Sequence, residues 1–116
     1  MGQTYRKEDW DKVIDFFDRN FRTGPSPSMH EIFYLIGVQE LGQGFKNFSR
    51  DDKINLMHAG LCAALETLGY CRRKKNLPGG WPDFDILRPL PAENEPEYEE
   101  LIKKAIIGYL KKEGIL

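Results

Sequence analysis

The sequence predicts an all-α domain of four helices, with an extended proline-rich strap or short hairpin between the third and fourth. Three observations lead there. The chain holds two Val and three Thr against twelve Leu, so strand-favouring residues are scarce. Four stretches carry apolar residues at helical spacing, separated by Gly, Pro and Ser. Five of the seven prolines fall between Pro78 and Pro96, which forbids a regular helix there.

The first helix is expected from about Arg6 to Phe21. Trp10, Val13, Ile14, Phe17 and Phe21 fall on one face, with Asp11, Asp15, Asp18 and Arg19 opposite. Thr4 is the candidate N-cap. The second helix should begin at Ser26, with Pro27 at N1, or at Ser28, in a capping box with Glu31. It runs to Leu41, stops at Gly42, and is apolar nearly all round. Phe45 and Phe48 are read as plugs of the core.

The third helix is expected from Arg50 to about Leu68, with Ser49 before it and Asp51 and Asp52 meeting its dipole. The small residues Ala59, Gly60, Ala63 and Ala64 predict close approach of another helix. From 71 to 96 the chain turns basic and then proline-rich, with a hairpin turn possible at Pro78-Gly79-Gly80. The last helix should run from about Glu95 to Glu113. Asn94 and Glu97 cap it, acids lead and lysines follow.

The 116 residues make one domain, residues 1–116. A chain this long buries roughly two thirds of its unfolded surface, so it can fold without metal or disulfide. With 17 basic and 18 acidic residues the net charge is −1, which argues against a strongly electrostatic nucleic-acid binder. The first 20 residues are charged and lack a signal-peptide core. Cys62 and Cys71 are not a disulfide framework. The expectation is a cytoplasmic domain.

No phosphate loop, GxGxxG, HExxH, GxSxG or CxxC occurs. Chemistry would therefore rest on constellations. On the third helix, Asp51, Asn55, His58, Cys62 and Glu66 share one arc. His58 and Cys62 are four apart and can meet. With Glu66 and with Glu40 or His30 from the second helix they form the candidate metal set, zinc being the candidate ion. The plain packing reading of this stripe is a thin solvent edge. The second constellation is the basic run Arg72, Arg73, Lys74 and Lys75, followed by Trp81, which suits a single-stranded nucleic acid. Three helices and a glycine-bearing hairpin also resemble a winged helix, but the third helix lacks the side chains to read a groove.

Phe33 to Gly42, followed by Leu56-Met57-His58 and Leu68-Gly69-Tyr70, resembles a family of small uncharacterised proteins from Bacteroidetes-type bacteria. The resemblance covers residues 31 to 70, and Gly80-Trp81-Pro82 fits the same pattern. It implies a bacterial cytosolic protein and transfers no activity or functional residue.

The leading expectation is a non-enzymatic module that works through protein contacts, as a homodimer or with another protein, because two helices apolar nearly all round need cover. The alternative is a metal-binding or hydrolytic protein using the His58 stripe. The third is a nucleic-acid binder through residues 72–84. No cofactor other than the candidate zinc is expected, and no membrane partner.

Overall fold

A computed structural model describes residues 5–44, 46–74 and 80–116. The elements are α1 (Lys7–Phe21), α2 (Met29–Leu41), α3 (Arg50–Glu66), β1 (Cys71–Arg73), β2 (Phe84–Ile86) and α4 (Glu95–Lys112). The four expected helices are all present. Of the strap and the short hairpin expected between α3 and α4, the segment holds a short antiparallel pair, β1 with β2, with Cys71 opposite Ile86 and Arg73 opposite Phe84. Prolines exclude helix in this stretch but leave short edge strands open. Pro78 and Gly79 of the expected turn lie outside the described residues. So do Thr4, Phe45 and Lys75.

Local chemistry sets the helix ends. Of the two starts for α2, Ser28 is used. Its Oγ accepts from the Glu31 N–H at 3.1 Å, and Glu31 accepts from the Ser28 N–H at 3.2 Å, so two orphan donors are satisfied reciprocally. Ser49 accepts from the Asp52 N–H at 3.1 Å, and Asn94 from the Glu97 N–H at 3.0 Å. Arg6 occupies the N-cap of α1 and makes no side-chain cap. Gly42 closes α2 at φ 72°, a conformation glycine adopts without cost.

The core lies where α1, α2, α3 and α4 meet, around Phe17, Ile32, Ile36, Ile102, Ile106 and Leu110. α2 and α3 cross most closely. A Cβ placed on Gly37 would lie 2.0 Å from the Leu56 carbonyl oxygen, and one on Gly60 would lie 1.8 Å from that of Phe33. The two helices that looked apolar all round thus cover each other backbone to backbone. Phe48 stands edge-on between Tyr34 and Trp81, its ring 6.5 Å and 6.2 Å from theirs. Among the described residues no helix is long and apolar enough to cross a membrane.

Candidate functional site

The polar arc of α3 is where the small sheet lands. β1 leaves the Thr67–Gly69 turn and brings the buried Cys71 beside the buried Cys62. One turn on, Glu66 accepts the main-chain N–H of Arg73 at 2.7 Å. The outer edge of β1 is therefore capped by a side chain of α3. The remainder of the arc, His58 and Asn55, stays exposed beside β2.

Each residue of the candidate metal set has a place, and the set does not assemble. His58 Nε2 lies 3.5 Å from Cys62 Sγ, as their spacing predicts. Burial, reinforced by the neighbouring Cys71, pushes the Cys62 thiol up to about 12. In this packing it stands as a thiol rather than the thiolate a nucleophilic step requires. Glu66 is engaged with Arg73 and lies 3.8 Å from Lys112 Nζ. Glu40 pairs with the Arg73 guanidinium and accepts from the Tyr109 hydroxyl at 3.2 Å. His30 is exposed at the start of α2, about 15 Å along the helix from Glu40. Among the described residues no three His, Cys, Asp or Glu side chains come together as a metal site. Whether Glu40 or His30 converges on His58, which the sequence left open, is thus answered among the described residues: Glu40 is held by β1 and α4, and His30 is exposed at the start of α2.

The basic run is also engaged. Arg73 meets Glu40, and its guanidinium carbon lies 5.2 Å from the centre of the Phe84 ring. Arg72 pairs with Asp85 at 3.8 Å. Lys74 lies 3.4 Å from both Asp83 and Asp85, and these carboxylates raise its pKa. Trp81 rests against Phe48 and is about one-third exposed. The carboxylate picked as a metal ligand and the arginine picked for nucleic acid are therefore each other's partners. Sequence reasoning missed Asp83, Asp85 and Tyr109. A signal for the first two was present: Arg72-x-Lys74 and Asp83-x-Asp85 alternate with period two and opposite sign, the mark of facing strands.

What remains open is the α3–β2 face. His58 stands between two clefts. One, of about 410 Å³, is lined by Asn55, His58, Trp81, Asp83 and Phe84. The other, of about 230 Å³, is mostly apolar, with Leu61, Leu65, Tyr70, Ile86 and Leu90. A separate cleft of about 590 Å³ lies between Trp10, Met29 and Lys103. There the Lys103 ammonium lies 5.2 Å from the centre of the Trp10 ring and 3.5 Å from Glu99.

No family model, curated protein or solved structure matches the chain.

Proposed function

We propose that this protein acts through protein contacts rather than by chemistry of its own, and that the α3–β2 face makes them. One observation carries this reading. Among the described residues, six large apolar side chains are prominently exposed, and four of them, Ile54, Trp81, Ile86 and Leu87, lie on α3 or on β2 and its flanks. Ile86 is 69% exposed although it sits in a strand. Exposed apolar side chains gathered along neighbouring elements, beside a mostly apolar cleft, are the mark of a contact surface. The two buried free thiols suit a reducing compartment, and we place the protein in the cytoplasm. The metal-binding and nucleic-acid alternatives rest on sequence pattern alone.

The test is site-specific photo-crosslinking in cells that make the protein. A photoreactive residue at Leu87 should capture polypeptide, and the same residue at the exposed Lys104 of α4 should not. Equal capture at both positions, or none at Leu87, contradicts the proposal.

A further inference from the structure

The backbone of β2 states what kind of partner fits it. In an antiparallel pair, alternate residues turn their N–H and C=O toward the neighbouring strand and the rest turn them away. Lys74 N–H donates to the Asp83 carbonyl and Leu87 N–H to that of Tyr70, both at 2.9 Å. Residues 83, 85 and 87 therefore face β1, and Phe84 and Ile86 face outward. The outward Phe84 N–H is taken by the Asp83 carboxylate at 3.0 Å. Ile86 is the strand residue left with both main-chain groups open among the described residues. Ile86 itself carries none of the usual protections of an edge, being neither charged, proline nor part of a bulge. Pro82 and Pro89 bracket the segment and limit the opening to a short strand.

We propose that this edge pairs antiparallel with the β2 edge of a second copy of the chain, about a twofold axis through Ile86. The two small sheets then become one of four strands. The proposal rests on the contact reading of the α3–β2 face and names its partner. Ile86 carries one free donor and one free acceptor, so a symmetric pair satisfies all four groups with two hydrogen bonds. The alternative axis through Asp85 needs the Phe84 N–H, already occupied, and sets two aspartates directly opposite. Charge favours a like partner. Arg72 and Lys74 neutralise Asp83 and Asp85 across the strands, so two copies meet without net repulsion, and a charged peptide finds no opposite charge to select it. Pairing also sets the exposed Ile86 side chains of the two copies directly opposite each other, and a twofold dimer is the commonest closed assembly.

The experiment is sedimentation velocity on the full chain from micromolar to near-millimolar concentration. The mass should rise from 13.5 kDa toward twice that value. Ile86→Lys puts a charge on the edge and should weaken self-association at least about tenfold. Ile86→Pro removes an N–H that β1 does not use, together with the isoleucine side chain, and should act likewise. Circular dichroism and melting curves matching the wild type establish that the variants fold. A wild-type mass of one chain throughout overturns the proposal, as does a folded Ile86→Lys that associates like the wild type. If the wild type stays monomeric while position 87 captures a different polypeptide, self-pairing fails and the contact reading stands. If position 87 captures nothing, both fail.

Discussion

Replacing Gly60 by alanine probes the crossing on which the fold depends. The added methyl carbon would stand 1.8 Å from the Phe33 carbonyl oxygen and 3.0 Å from the Gly37 nitrogen. Contacts below 3.0 Å are essentially never tolerated, so α2 and α3 must part by about 1.2 Å at that point. The obstacle is backbone, which cannot rotate aside as a side chain can. Overpacking of this kind costs about 1–3 kcal/mol, and a rigid obstacle belongs at the upper end. Alanine's better helix propensity offsets about 1 kcal/mol. The net loss is about 2 kcal/mol, or a fall in Tm of roughly 6–12 °C for a chain of this size. Thermal unfolding followed by far-ultraviolet circular dichroism measures it, with urea unfolding as a check. Gly108→Ala is the control. Its Cβ meets the Thr67 hydroxyl at 2.8 Å, a side chain rather than backbone, which can yield at the cost of its bond to the Ala64 carbonyl at 2.7 Å, so the fall should be smaller. A Gly60→Ala protein melting at or above the wild-type temperature would refute the close crossing.

Glu40→Ala strips the carboxylate from Arg73 and Tyr109 and should cost about 1–2 kcal/mol, since the site is only partly screened from water. Glu40→Gln should cost less, and equal urea midpoints for Glu40→Ala and the wild type would count against the network. Ser49→Ala removes the α3 cap and should cost about 1 kcal/mol, read in the same assay. Burial and its neighbour Cys71 raise the Cys62 thiol from 9.0 to about 12. A raised pKa favours the protonated form in the fold, so this contribution is full below pH 9 and is lost as pH climbs toward 12. Burial, then the charge of Glu40, raises Tyr109 in the same direction from 10.0. Stability should therefore fall steadily above about pH 9, and Cys62→Ala should flatten the first part of that fall. An unchanged slope would contradict the assignment.

The helices were legible because their signals are local. Ser28 with Glu31, Ser49 with Asp52 and Asn94 with Glu97 each act across three residues, within reach of pattern reading. The small residues of α3 announced a close neighbour correctly. The site was not legible, because its contacts are long-range. Glu40 meets a residue 33 positions away and Tyr109 one 69 away, and no periodicity of α2 reveals either. The polar arc of α3 looked like a set of ligands because one helix was read alone. Once β1 lies on it, Cys62 becomes packing and Glu66 becomes the cap of a strand edge. The open edge of β2 follows only from the strand register, which the charge alternation at 72–74 and 83–85 hinted at.

Amide hydrogen exchange along β2 tests the open edge most directly. In dilute protein the amides of Asp85 and Leu87, which face β1, should exchange slowly, and that of Ile86 between them should exchange fast. Raising the concentration should slow Ile86 alone. An Ile86 amide as protected as its neighbours in the dilute monomer would show that the edge is already covered within one chain, and would contradict the account.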